Sequence, residues 1–293
     1  MMKEEKKLHK QHKKLSNAIV YAILVLISIV WLFPFVCLVL QSFRSYKPEV
    51  EFGGMVDYLL PKHFSLDSYT FLLSGESNFL RWYGNTLIIA IFVSIGQTVF
   101  VLCTSYALSR MRFKLRRALM NLWLVLGMFP GFLTMICLYF LLKQMGLTQA
   151  GAVPGLILIS VASSGMGYYV CKGYFDTIPK SLDEAARIDG ASRAKIFVGM
   201  IVPLSKPIII YTALVAFMAP WCDYVFASYV AFGYEKGYNV AVALQSWVNT
   251  NDYQGYFTRF CAGGVLVAVP VTALFMALQK YYVEGVTGGA VKG

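Results

Sequence analysis

An all-α membrane protein with six transmembrane helices is the fold class this sequence predicts, and three observations predict it. Charged residues make up 14% of the 293 residues and hydrophobic ones 58%, whereas soluble domains average about 25% charged and about 45–50% apolar. Six stretches are almost free of Asp, Glu, Lys and Arg, and a helix needs about 20 mostly apolar residues to cross a bilayer. Between those stretches, basic residues are abundant and scarce by turns. Segments of about ten residues with alternating hydrophobicity, the mark of a membrane barrel, do not occur.

The elements follow in order. Residues 1–16 are a basic tail, MMKEEKKLHKQHKKL, with six Lys and two Glu. The first span is expected over 18–40; its apolar run is too long for a signal-peptide core, and no A-x-A site follows it. From Gln41 to Tyr83 four basic residues face five acids. The second span is expected over 84–108. The link RMRFKLRR, Arg110–Arg117, has five basic residues and no acid, and leads to a third span over 118–142. There Gly127, Pro130 and Gly131 are expected to bend the helix. After Lys143 a fourth span over 150–171 is rich in Gly and Ser, which suits close helix packing. A charged insert, 173–206, precedes the fifth span, 206–226, which reaches spanning length only if Asp223 lies at the membrane boundary. A long loop, 227–259, leads to the sixth span, 260–280. The positive-inside rule places the basic-rich segments and both termini in the cytoplasm. The net charge of +11 is therefore a topology signal and not a nucleic-acid surface.

Several chemistries are unsupported. Cys37, Cys103, Cys137, Cys171, Cys222 and Cys261 form no C-x-x-C pair, so packing is the expected role and neither a metal nor a redox site is expected. There is no G-x-x-x-x-G-K-[ST] and no H-E-x-x-H, and no cofactor is expected. Titratable groups inside the spans are almost absent, in keeping with a cost of roughly 2.5–3.5 kcal/mol for a charge at mid-membrane. A path through such spans suits a neutral or weakly polar cargo. A sugar fits; an ion-coupled secondary sugar carrier acting without an ATPase is the alternative, and fits less well.

The charged insert contains SLDEAARIDGASRAKIFVGMIVP, Ser181–Pro203. Ser181 and Glu184 have the spacing of a capping box, Asp189-Gly190 is expected to end the first short helix, and a second is expected from Ser192 to Val202, stopped by Pro203. Small residues, Ala185, Ala186, Gly190 and Ala191, keep this knuckle narrow. It could be gripped by a partner, or lie as an amphipathic loop on the headgroups. Glu-Ala-Ala at 184–186, three residues, Gly190, nine residues, then Met200-Ile201-Val202-Pro203 resembles the signature of ABC importer inner-membrane permeases. Met200 and Val202 stand where that family usually has Ile and Leu. PKHFSLDSYTFLL, FLRWYGNTLIIA and the C-terminal KYYVEGVTGGAVKG are similar to the maltose and maltodextrin type of sugar permease, over roughly residues 15–293.

The resemblance implies a type I ABC importer permease of the bacterial cytoplasmic membrane, built around a coupling helix in a cytoplasmic loop. Its implied partners are a homologous second permease subunit, two ATP-binding cassette ATPase subunits that hydrolyse the ATP, an extracellular sugar-binding protein and the lipid bilayer, with no nucleic acid. It implies that Glu184, Ala185, Ala186, Asp189, Gly190 and Pro203 couple the chain to the ATPase, with Glu184 pairing a basic group there; Glu184 could equally serve the capping box. Candidates for the sugar path are Asn85, Gln97, Trp221, Asp223 and Tyr224. The first two could instead only bond neighbouring helices, and the last three could be an interfacial belt. In the external loop, Tyr238, Trp247 and Tyr253 are candidates for contact with the binding protein, or for packing the loop on its own helices.

Overall fold

The computed structural model describes residues 2–47, 60–249 and 253–288. Among them no strand forms; Arg44 and Phe64 make one isolated antiparallel bridge. The chain divides into two compact units, Met1–Phe71 with Thr250–Val265, and Leu72–Asn249 with Leu266–Gly293.

In the first unit, α1 (Met2–Ser42) is continuous through Pro34, which membrane helices tolerate. Every residue from 16 to 36 is exposed. An apolar surface of that length is stable only against lipid or another protein. At its end Ser42 Oγ bonds Tyr69 OH at 2.7 Å. At the start of α2 (Asp67–Leu73), Asp67 accepts from Ser45 Oγ at 2.6 Å. The Arg259 guanidinium lies 4.0 Å from the Tyr46 ring centroid and 4.2 Å from that of Phe71.

The second unit is organised around α3 (Phe79–Arg110), an unbroken helix with buried residues along its whole length. Then α4 (Arg116–Gly127) and α5 (Gly131–Gln144) meet at 102°. The bend falls where Gly127, Pro130 and Gly131 place it: Pro130 is extended at φ −56°, ψ 122° and disfavours helical backbone at Phe129. The fourth expected stretch is not one helix. It comprises α6 (Ala152–Ala162), a tight turn Ser163–Gly167, and α7 (Tyr168–Thr177). Ser163 and Ser164 donate to the carbonyls of Ser160 and Val161, which competes with regular helix bonding. The charged insert gives α8 (Lys180–Ile188), α9 (Arg193–Ile196), a wide turn Phe197–Ile201 and α10 (Val202–Leu204). It turns by 83° into α11 (Lys206–Cys222). Next come α12 (Val225–Ala231), α13 (Val240–Val248) and α14 (Tyr253–Gly288).

Among the described residues three helical segments are long and apolar enough to cross a membrane, Ser16–Ser42, Phe79–Arg110 and Tyr256–Val283. The two bent pairs, α4 with α5 and Arg193–Leu204 with α11, would each add one if counted as a span, and Gln149–Ala162 is a shorter apolar helix. Within the second unit α3 binds three neighbours. Ser94 Oγ donates to Ala213 O of α11 at 2.8 Å, and Ser105 Oγ to Tyr168 O of α7 at 3.1 Å. At Gly96 an added Cβ would lie 2.7 Å from Val161 Cγ2 of α6. One buried cluster joins Ile89 and Val93 to Leu156, Ala216 and Val230; another joins Val101 and Leu102 to Phe175, Ile196 and Ile208.

Candidate functional site

The knuckle of the charged insert is built by α8 and the turn after it. The expected capping box does not form. Pro179 precedes the first helical residue, and its carbonyl accepts from Leu182 N at 3.3 Å. The helix therefore starts at Lys180, Ser181 falls inside the first turn, and Glu184 stays exposed. The far end follows expectation. Gly190 has φ +81°, its N–H donates to Arg187 O at 3.0 Å, and Ala191 N donates to Ala186 O at 2.9 Å. This paired closure needs a left-handed residue, which glycine supplies without strain. Ser192 then caps α9 by accepting from Lys195 N. Pro203 lies inside α10 and does not end the run; the break comes at Ser205. With no N–H, Pro203 cannot donate to Gly199, and the turn before it is wide. The knuckle exposes Leu182, Ala185 and Glu184, and Ile188 is 86% exposed.

The inner side of α8 is ionic. Arg110, in the last turn of α3, brings Nη1 to 3.2 Å from Asp183 Oδ2, with the two side chains 2% and 9% exposed. Its Nη2 donates to Phe175 O and Ile178 O, both at 2.8 Å. Beside it Ser109 Oγ donates to Asp176 Oδ1 at 2.6 Å, and Lys172 Nζ pairs with Asp176 Oδ2 at 2.6 Å. Tyr106 OH donates to Arg193 O at 3.2 Å. A cavity of about 350 Å³ opens here, with Arg112, Arg116, Lys180 and Arg187 around Glu184. The sum is strongly positive.

A second, mostly apolar cavity of about 240 Å³ lies against the middle of α3, lined by Ile89, Gln97, Ser160, Asp223 and Asn239 among others. It brings Gln97 and Asp223 together. It does not gather the other path candidates. Asn85 Nδ2 donates to Lys236 O at 3.0 Å and Tyr238 O at 2.8 Å, holding the loop before α13. Trp221 is buried, its ring edge-on to Tyr83 at 5.1 Å. Tyr224 is exposed outside this lining. Asp223 also caps α12, accepting from Phe226 N at 3.2 Å.

Comparison with known proteins identifies the family. The profile of the family described as "Binding-protein-dependent transport system inner membrane component" matches residues 101–288, more than half of the chain. The chain belongs to that family. It is 35% identical to the maltodextrin transport system permease protein MdxG of Bacillus subtilis over 96% of this chain and 98% of that one. It is 35% identical to the galactooligosaccharides permease protein GanQ of the same organism, over 93% and 94%. To the maltodextrin permease protein MalD of Streptococcus pneumoniae it is 34% identical, over 97% and 98%. Among solved structures, a chain of a bacterial ABC transporter involved in alginate import superposes with TM-score 0.77, covering 92% of this chain and 97% of that one at 23% identity. That last likeness supports the fold.

In this inner membrane component Tyr238 and Trp247 pack on the chain's own helices. Trp82 Nε1 donates to Glu235 O at 2.8 Å, and its ring lies 6.5 Å from Tyr238 and 5.5 Å from Trp247. Trp247 is buried and Tyr238 half-buried, so both rings brace the loop. The Tyr253 side chain lies outside the described residues. The sequence reading missed Arg110, Asp183 and Ile188. A signal existed for each: Arg110 ends an uncharged run, Asp183 and Glu184 are adjacent and cannot share a helix face, and Ile188 is a large apolar residue beside two charges.

Proposed function

We propose that the chain is one of two permease subunits in a type I ABC importer for a carbohydrate, an oligosaccharide of the maltodextrin class. It spans a bacterial cytoplasmic membrane six times with both termini inside, and works with a homologous permease, two ATPase subunits and an extracellular binding protein. ATP is hydrolysed on the separate subunits. The observation that carries the reading is the knuckle: a narrow helix closed by Gly190 at positive φ, with Ile188 and Glu184 exposed on it. With Leu182 and Ala185 exposed on the same short helix, Ile188 extends an apolar surface that suits burial in a partner's cleft. Glu184 is free of any cap and so is available to a cation of the ATPase.

The second cavity is this subunit's share of the sugar path. At about 240 Å³ it is smaller than the roughly 300–1,000 Å³ of self-contained ligand pockets, as fits a lining completed by another subunit. Gln97 and Asp223 give it hydrogen-bonding groups against apolar walls, the mixture a sugar ring needs. The relatives' names, which mention maltodextrin and galactooligosaccharides, support an oligosaccharide cargo. Membrane vesicles bearing the four kinds of subunit test this by uptake of labelled maltotriose with and without internal ATP. Uptake that requires ATP is expected; equal uptake by this chain alone, without an ATPase, would refute it.

A further inference from the structure

We infer that the buried Arg110–Asp183 pair is the joint by which the coupling helix and α3 move as one body. The inference rests on the importer reading above and adds to it the route by which the ATPase stroke enters the membrane domain.

Between α7 and α8 the chain has only two extended residues, Ile178 at ψ 127° and Pro179 at ψ 130°. No helical bonding continues across them, so this link by itself is a hinge. Arg110 spans it. One guanidinium donates to the carbonyl of Phe175 before the hinge and of Ile178 within it, and lies in ion-pair contact with the carboxylate of Asp183 after it. Ser109 and Tyr106, on the same end of α3, reach Asp176 and the Arg193 carbonyl. The far side of the knuckle is tied to the same helix end.

A buried ion pair is a poor device for stability, because an apolar replacement of similar volume is often neutral or better. What it does well is fix one geometry, since a planar fork accepts few arrangements of its partners. Here that geometry joins the coupling helix to α3, which also lines the second, mostly apolar cavity at Ile89 and Gln97. Gln97 and Arg110 are on one unbroken helix, about 20 Å apart at about 1.5 Å per residue. A stroke on α8 is thereby delivered to the cavity wall and not absorbed at Ile178-Pro179.

The test uses the complete transporter in liposomes and reads labelled maltotriose imported per ATP hydrolysed. Asp183→Asn is expected to lower that ratio at least about fivefold while the complex still co-purifies and hydrolyses ATP, whereas Asp183→Glu stays within about twofold of wild type. Arg110→Gln and Asp183→Asn combined should cost no more than Asp183→Asn alone, because no lone charge is left buried. An assembled Asp183→Asn or double variant with the wild-type ratio overturns the inference, and so does a double loss equal to the product of the two singles. Failure of both variants to assemble also overturns it, since the pair would then only hold the fold. A wild-type transporter that imports without ATP would instead refute the importer reading, which separates the two.

Discussion

Gly190 is the residue at which local conformation and the proposed function meet. Its φ of +81° costs an L-residue with a side chain roughly 1–2 kcal/mol, and an added Cβ meets nothing within 4 Å. Gly190→Asp should therefore remain inserted and folded while the turn shifts. The expected outcome is loss of ATP-driven uptake with normal membrane levels and retained ATPase association, read by vesicle uptake and co-purification. Asp176 yields a second expectation. Burial opposes its ionisation, but hydrogen bonds from Lys172 and Ser109 and the charges of Lys172 and Arg116 outweigh that and hold its pKa below 3.8. The folded state binds this proton less readily than the unfolded chain. The stability it contributes is fully present above the unfolded value and is lost as pH falls through the folded one. In detergent, the acid-side decline in Tm should be shallower for Asp176→Asn than for wild type, with the difference closing at the acid end of a titration from about pH 7 to about pH 3.

Among the elements of the second unit, α3 is the one against which α6, α7 and α11 are placed. Its contact with α6 has no spare room at Gly96, where Val161 already fills the position of a side chain. Gly96→Leu should therefore force the helices apart and destabilise by about 1–3 kcal/mol, seen as a lower Tm in detergent. Gly199→Ala, where nothing lies within 4 Å, should leave Tm near wild type. Legibility in the sequence differed by element for physical reasons. The bend at Pro130 could be read because proline restricts its own backbone and that of the residue before it. The break at Ser163–Gly167 could not, since small residues serve equally for close packing and for interruption. The start of α8 was misplaced because a capping box and a preceding proline compete for the same turn, and Pro179 won. Arg110–Asp183 was hidden for another reason: the partners are 73 residues apart in sequence, and only the packing of α3 on α7 unites them.

At the scale of the whole molecule, hydropathy and charge made the membrane class visible, because a bilayer imposes long apolar stretches and a charge bias on any sequence; the resemblance to the family came instead from the spacing of Glu184-Ala185-Ala186, Gly190 and Pro203. Which polar side chains face a path was not visible. Asn85 and Gln97 look alike in sequence, yet one holds a loop and the other lines a cavity. The long exposed stretch of α1 and the small cavity beside α3 both fit a subunit completed by others. The central claim is that an ATP-driven partner grips the knuckle at Ile188 and Gly190. Its most direct test is crosslinking from Ile188→Cys, in native membranes, to the ATPase subunit. The account expects a crosslinked adduct containing that subunit whose yield changes when ATP is added; labelling of Ile188→Cys by water-soluble maleimide alone, with no adduct in any nucleotide state, would contradict it.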